Sequence, residues 1–85
     1  MKFSTSYERQ PEKFLKKLQA KDAVRMIDKI EDVLCENPVP HDAKVIVGQH
    51  GVFRIRVGDF RILYRIDYDK LAIIVIAIDK RERVY

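Results

Sequence analysis

The sequence predicts an α+β protein whose first half is helical and whose second half forms strands. Up to Glu36, apolar residues recur every three or four positions, and from Val52 they alternate with other residues. The prolines between these halves, Pro38 and Pro40, are residues that end a helix. The chain has 85 residues, 47% of them hydrophobic, which suits one modest core and leaves no room for a second. We therefore expect a single domain over residues 1–85.

The first half predicts two short helices after an opening segment, residues 1–7, that suits an edge strand. The first helix begins at Pro11, because proline is tolerated at the first helical position, and it ends near Ala20. The second covers residues 22–36, where the apolar side chains form one stripe along the helix. The short join between the two predicts an antiparallel helical hairpin.

The second half has the period of β-strands. Residues 52–57 and 60–66 alternate, and Gly58-Asp59 between them fits a two-residue hairpin turn with glycine in its first position. A shorter strand is expected at residues 44–47. Residues 71–78 are apolar on both faces, which is typical of a central strand covered from both sides.

Arginine is concentrated in the strand-forming half. Residues 1–40 contain six lysines and two arginines, whereas residues 41–85 contain three lysines and six arginines, within a net charge of +4. A guanidinium group presents a planar fork of donors that suits phosphate or carboxylate. The second half is therefore where we look for function.

The predicted hairpin sets arginines against each other. With Gly58-Asp59 as the turn, Arg56 lies opposite Arg61, and Arg54 and Arg65 extend the same face. Like charges directly opposite destabilise a sheet, and the only acid in these strands and their turn is in the turn itself. Two interpretations stay open: a solvated face neutralised by acids from the helices, or a surface that binds a polyanion or an acidic protein.

The usual enzyme constellations are missing from the sequence. His41 and His50 have no partner at metal-ligand spacing, so we expect no metal, and no glycine-rich phosphate loop indicates a cofactor. His50 is a weak candidate for a general base, the alternative being an exposed turn residue. The single cysteine, Cys35, fits a buried thiol in a reducing compartment. With no signal peptide at the start and no membrane-length apolar run, a cytoplasmic location is expected.

Two segments resemble a known family. Residues 53–64 read Phe-Arg-Ile-Arg-Val-Gly-Asp-Phe-Arg-Ile-Leu-Tyr and, with Lys44 and Gly48 before them, resemble the central signature of the RelE/ParE toxin superfamily. Residues 79–85 resemble that family's basic C-terminal segment ending in Val-Tyr. The resemblance covers essentially the whole chain. It implies a RelE-like fold, with the N-terminal helical hairpin packed on a small, mostly antiparallel β-sheet.

The same resemblance implies the toxin of a type II toxin–antitoxin system. Such a RelE-type toxin is a ribosome-dependent endoribonuclease that cleaves mRNA at the ribosomal A site and so inhibits translation, without metal or cofactor. The implied partners are a RelB-like antitoxin, in a hetero-oligomer, and the ribosome with its mRNA; no membrane is implied.

The resemblance also assigns roles to individual residues. It places the catalytic groups on Arg54, Arg56, Arg61, Arg81 and Tyr85. It places further RNA contacts on Lys44, Arg65, Lys80 and Arg83. Some members have lysines where this chain has Arg54 and Arg56, which removes one candidate for proton transfer. Tyr85 then has two open roles, as a phenolate base or as a ring that stacks on a nucleobase.

Two other functions remain open at this point. A ParE-like toxin would share the fold and act on gyrase, and a non-catalytic module would bind RNA or a partner with the same surface. Basic residues at both the hairpin and the C-terminus favour the nuclease, because RNA cleavage requires stabilisation of charge on a phosphate. If the chain is an enzyme, loss of Arg81 should abolish cleavage while leaving the fold and binding largely intact.

Overall fold

A sheet of five strands with two helices on one face makes up residues 2–80, the part of the chain that this computed structural model describes. Along the chain the elements are β1 (Ser4–Tyr7), α1 (Arg9–Lys17), α2 (Ala20–Asp28), β2 (Lys44–Val45), β3 (Val52–Val57), β4 (Phe60–Asp67) and β5 (Ala72–Lys80). The strand order is β1-β5-β4-β3-β2, in which β1 runs parallel to β5 and the other neighbours are antiparallel. The predicted mostly antiparallel sheet under a helical hairpin is confirmed.

The core lies between α2 and the middle of the sheet. Met26 and Ile30 on the helical side have no exposed surface, and neither do Ile62, Tyr64 and Ile78 on the sheet. Burying side chains of this size stabilises the fold by roughly 1.5–3 kcal/mol each, which is the main force holding the helices on the sheet. Cys35 is also buried, at 3% exposure, as its position in a helical stretch predicts.

Both helices begin earlier than expected, and the second changes its winding. Arg9 precedes Pro11 in α1, since a proline in the first turn removes only an N–H that has no partner there. Beyond α2 the chain continues as a π-helical segment, Lys29–Leu34, in which the Cys35 N–H donates to the Ile30 carbonyl. The wider turn lets Ile30, Leu34 and Cys35 all face the core.

Two strands also differ from expectation. β2 has only two residues, because the chain turns away after Val45 and Gly48 takes a positive φ of 86°. β5 starts at Ala72, since Leu71 is in the turn with a φ of 51°. Helices cover one face of β5, whereas Ile74 on the other face is only half-buried within residues 2–80. The prediction of cover on both sides is therefore wrong for this part of the chain.

The side chain of Gln10 pairs with the outer edge of β5 where β1 has ended. Its Nε2 donates to the Ile78 carbonyl at 2.8 Å, and its Oε1 accepts from the Ile78 N–H at 2.9 Å. The amide thereby replaces a strand residue and closes an edge that would otherwise be open.

We expect Gln10→Ala to lower the free energy of unfolding by about 1–2 kcal/mol, because it removes two hydrogen bonds to the backbone of a central strand. Urea unfolding measures this. Lys13→Ala, an exposed position one turn further along α1, is the matched control and should leave stability within about 0.5 kcal/mol of wild type. Equal stability of the two variants would show that the Gln10 amide does not hold this edge.

Among residues 2–80, no helix reaches the length and apolar content that a membrane-crossing helix needs.

Candidate functional site

The face of the sheet turned away from the helices carries most of the arginines of the second half. We call it the arginine face and define it by Lys44 on β2, Arg54 and Arg56 on β3, and Arg61 and Arg65 on β4. These side chains share one face because neighbours two residues apart on a strand point the same way, and because the strand pairing aligns them across the sheet.

The β3–β4 turn sets this alignment. Gly58 has a φ of 59°, which side-chain-bearing residues rarely adopt, whereas Asp59 does not share the positive φ. This is the glycine-first pattern of a two-residue hairpin turn. The turn pairs Val57 with Phe60 and hence Arg56 with Arg61, so the predicted register is confirmed.

Arg61 is held by a carboxylate on the next strand. Asp79 of β5 lies opposite Arg61 and accepts two hydrogen bonds from it, 3.2 Å from Nε to Oδ1 and 3.0 Å from Nη2 to Oδ2. The Arg61 side chain is 22% exposed and that of Asp79 is 47% exposed. Arg56, Arg61 and Asp79 therefore form one row across three strands, in which the carboxylate pairs with Arg61 and Arg56 lies on the other side of Arg61.

A β-bulge brings Asp79 to this face. The β4–β5 register shifts between Leu63 and Tyr64, so that Tyr64 pairs with Val75 but Leu63 pairs with Ala77. One residue of β5 is left over, and every later side chain changes sides. Without the shift, Asp79 would lie opposite Phe60 and point toward the helices.

Lys44 and Arg54 form a second row, next to the first. They are directly opposite each other on β2 and β3, and together with Asp42, Ile55 and Arg56 they line a cleft of about 130 Å³. The Arg54 Nε is buried and has no hydrogen-bond acceptor among residues 2–80. A buried donor without an acceptor costs about 1–3 kcal/mol, so this site is more stable when something else supplies an acceptor.

The acid at the rim of the cleft is already engaged elsewhere. Asp42 Oδ2 lies 3.1 Å from the Nζ of Lys29, and this hydrogen bond holds the pKa of the Asp42 carboxyl below its usual value. Within residues 2–80, Arg54, Arg56 and Arg65 form no ion pair, and no acid of the helices reaches them. The interpretation in which helical acids neutralise the face is therefore wrong for the described residues.

Two of the expected RNA contacts lie outside these rows. Arg65 is exposed on the same face, about 13 Å along β4 from Arg61 but next to the second row, since it is two residues from Leu63, which pairs with Arg54. Lys80 pairs with Phe60, so its side chain lies on the helix side of the sheet. Arg81, Arg83 and Tyr85 lie outside the described residues.

No base stands out among the described side chains beside these rows. Tyr64 is fully buried and donates from its hydroxyl to the Pro38 carbonyl at 2.6 Å, and burial raises the pKa of the Tyr64 phenol. His50 is exposed in the turn before β3, at the end of that strand away from Arg56. The structure therefore brings together Lys44, Arg54, Arg56 and Arg61, and it adds Asp79, which the sequence did not single out. Cations suited to bind and polarise a phosphate are present, and a proton acceptor is not evident within residues 2–80.

The chain matches known toxins over nearly its whole length. The family model described as the ParE toxin of type II toxin–antitoxin systems, parDE, matches residues 3–85. A protein of Methanocaldococcus jannaschii named "Putative toxin RelE1" is 34% identical over 88 residues, an alignment that covers 100% of this chain and 97% of that relative.

Solved structures of similar fold include toxins bound to their antitoxins. The RelE–RelB complex of Pyrococcus horikoshii contains a chain with a TM-score of 0.82 and 25% identity, covering 99% of this chain and 100% of that one. The RelBE2 toxin–antitoxin complex of Mycobacterium tuberculosis gives a TM-score of 0.83 at 22% identity, covering 95% of this chain and 100% of that one, and supports the fold alone. On its sequence and its fold together, the chain belongs to the RelE/ParE family of type II toxins.

Proposed function

We propose that this toxin is a metal-independent, ribosome-dependent endoribonuclease that cleaves mRNA in the ribosomal A site. The observation that carries the proposal is the pair of cationic rows on the arginine face. Of their four cations, only Arg61 is paired with an acid within residues 2–80, and a cleft lies between Arg54 and Arg56. Packing like charges this closely opposes folding, which is expected where a surface must bind a polyanion.

The proposed chemistry needs no nucleophile from the protein. The 2′-hydroxyl of RNA gives its proton to a base and attacks the adjacent phosphorus, and the bond to the 5′-oxygen of the next nucleotide breaks. The leaving oxygen takes a proton from solvent, so that a cyclic phosphate and a 5′-hydroxyl result. The protein holds the nucleotide in line and stabilises the charge that grows on the phosphate oxygens. Arginine suits this role because it remains charged and offers five N–H donors.

We assign a role to each site residue from its position in the sheet or in the sequence. Arg56 and Arg61, adjacent across the hairpin, bind the scissile phosphate, and Arg54 with Lys44 binds its neighbour through the cleft. Arg81 follows Asp79 by two positions in the sequence and supplies a further cation to the reacting phosphate. Arg65 holds the RNA next to the two rows, and Arg83 supplies a further RNA contact, whereas Lys80, on the helix side of the sheet, is not assigned a contact with this RNA.

Tyr85 is the proposed proton acceptor, because a phenol among several cations loses its proton more readily than usual. Tyr85→Phe removes this acceptor and leaves the ring. We expect its single-turnover rate on programmed ribosomes to fall by roughly 100- to 10,000-fold, the range for loss of general base catalysis.

An unchanged single-turnover rate in Tyr85→Phe would rule out the phenol as the base. Weaker ribosome binding combined with an unchanged rate at saturation would instead assign Tyr85 to base stacking. Tyr68→Phe is the matched control, since Tyr68 is exposed in the turn before β5 and should tolerate loss of its hydroxyl.

The proposed partner, besides the ribosome, is a RelB-like antitoxin in a hetero-oligomer. Similar toxins from Pyrococcus horikoshii and from Methanococcus jannaschii have been solved in complex with RelB. An acidic antitoxin segment that orders as it binds would neutralise the unpaired cations of the arginine face. Labelling with an arginine-specific dicarbonyl reagent tests this, because a bound antitoxin should protect Arg54 and Arg56. Equal labelling in the presence of antitoxin would place the antitoxin elsewhere.

Gyrase inhibition is the second candidate, and the ParE name of the matching family model favours it. The two activities are separated by testing purified toxin on a defined mRNA with and without programmed ribosomes, and on gyrase supercoiling. The proposal predicts cuts that require ribosomes and disappear in Arg81→Ala. Inhibited supercoiling without cuts would establish the gyrase target.

A further inference from the structure

Among residues 2–80, Asp79 is the acidic side chain that forms an ion pair with a cation of the arginine face, and the proposed chemistry does not use it. It accepts from both Nε and Nη2 of Arg61, so the carboxylate and the guanidinium form a two-bonded, side-on pair. A single hydrogen bond would leave the guanidinium free to rotate, whereas two parallel bonds fix its plane.

The pair also decides which donors remain free. Arginine has five N–H groups, and Asp79 uses the one on Nε and one of the two on Nη2. Three remain, and those on Nη1 lie at the end of the guanidinium away from the carboxylate. Arg61 can therefore still offer a forked contact to a phosphate, and its direction is already set.

The repulsion between Arg56 and Arg61 does not by itself fix the Arg61 side chain. The two residues are direct partners on β3 and β4, so their like charges push Arg61 away from Arg56 without defining where its guanidinium comes to rest. Asp79 attracts Arg61 from the opposite flank, on β5. Arg61 is thereby held between a like charge and an opposite one, with its side chain only 22% exposed.

We propose that Asp79 is a positioning residue that acts through Arg61, fixing the guanidinium for the transition state at the expense of some affinity for RNA. This inference rests on the proposed nuclease function. Asp79 also places a negative charge near the RNA phosphates, which weakens binding of the ground state. Removing it should thus have opposite effects on binding and on chemistry, a combination that loss of structure does not produce.

The test is single-turnover cleavage of a defined message on programmed ribosomes, measured over a range of toxin concentrations. For Asp79→Ala we expect the rate at saturation to fall roughly 10- to 100-fold, as for a misplaced catalytic group. The toxin concentration at half-saturation should fall by about threefold, the effect of one unit charge at about 6 Å in water. Asp79→Glu, which returns the carboxylate, should recover most of the rate and the weaker binding.

Asp69→Ala is the matched control for net charge. Asp69 is an exposed acid in the turn before β5, without a side-chain hydrogen bond or ion pair among residues 2–80. The Asp69→Ala variant should cleave at the wild-type rate at saturation. Thermal unfolding of all three variants shows whether any of them loses its fold.

A second measurement does not depend on activity. In the free toxin, the NMR signal of the Arg61 Nε–H, assigned with Arg61→Lys, should exchange slowly with water in wild type and in Asp79→Glu, and quickly in Asp79→Ala. If the wild-type toxin does not cut RNA, the nuclease proposal fails, and this exchange rate decides alone whether Asp79 holds Arg61.

Three results would overturn the inference. An unchanged rate in Asp79→Ala would reduce the pair to a surface contact. A faster rate would mean that Asp79 restrains Arg61 rather than positions it. A slower rate accompanied by weaker binding or by slow Nε–H exchange would show that the loss does not pass through the orientation of Arg61.

Discussion

Arg56→Ala should lower the single-turnover cleavage rate on programmed ribosomes by roughly 100- to 1,000-fold, the range for loss of one donor to a charged transition state. Its thermal stability should stay within about 0.5 kcal/mol of wild type, because an exposed side chain without a partner contributes little to the fold. Any change should be a gain, since the substitution removes the repulsion from Arg61 across the hairpin. Loss of activity without loss of stability is the signature of a residue retained for function.

Arg9→Ala is the matched control for Arg56→Ala. Arg9 is exposed at the start of α1, on the helix side of the sheet, and it forms no ion pair among residues 2–80. The Arg9→Ala substitution removes one positive charge, as Arg56→Ala does, so a nonspecific effect of net charge on ribosome binding would appear in both variants. Equal rates for Arg56→Ala and wild type would show that the arginine face is not the site of cleavage.

Tyr64→Ala should lower the free energy of unfolding by about 3–5 kcal/mol, because it removes a large buried aromatic ring and leaves a cavity. Tyr64 is the largest fully buried side chain among residues 2–80, and its ring stacks on Phe53 with 5.8 Å between centroids. A loss of this size is a large share of the total stability of a small domain. Urea unfolding measures it, and a loss below about 1 kcal/mol would contradict the assigned core.

Tyr64→Phe separates the ring from the hydroxyl. It keeps the packing and loses only the hydrogen bond to Pro38, so stability should fall by about 1 kcal/mol. Its cleavage rate should equal that of wild type, since the Tyr64 hydroxyl is committed to the core and its pKa is raised by burial. A slower rate in folded Tyr64→Phe would give this phenol a part in the reaction.

Local patterns predicted the fold well. Strand alternation and the Gly58-Asp59 turn were enough to predict the register of β3 against β4, because both signals come from residues close in sequence. That register in turn predicted that Arg56 lies opposite Arg61. Lys44 was expected on a strand, and its pairing with Arg54 follows from an antiparallel connection. The spacing of apolar residues changes from three or four positions to two along the chain, and this change correctly predicted where α2 and the sheet lie in the sequence.

The partner of Arg61 could not be predicted from those patterns. Counting back from the turn at residues 68–71 without a bulge places Asp79 opposite Phe60, on the helix side. The register shift between Leu63 and Tyr64 moves Asp79 to the arginine face and Ile78 into the core. A one-residue register shift depends on how β5 packs under the helices, and no local residue pattern in the sequence predicts it. The sequence patterns therefore predict a neutralising acid on the helices, which do not supply one within residues 2–80.

The central claim is that the arginine face holds an RNA phosphate for attack by its own 2′-hydroxyl. The most direct measurement uses a message with a single 2′-deoxyribose at the sugar that would attack in the A-site codon, compared with the all-ribose message on programmed ribosomes. We expect the toxin to cut the all-ribose message there, leaving a 5′-hydroxyl on the downstream fragment, and to leave the deoxy-substituted message intact at that position. Equal cutting of both messages at the same position would contradict the account, because the nucleophile would then come from the protein or from water.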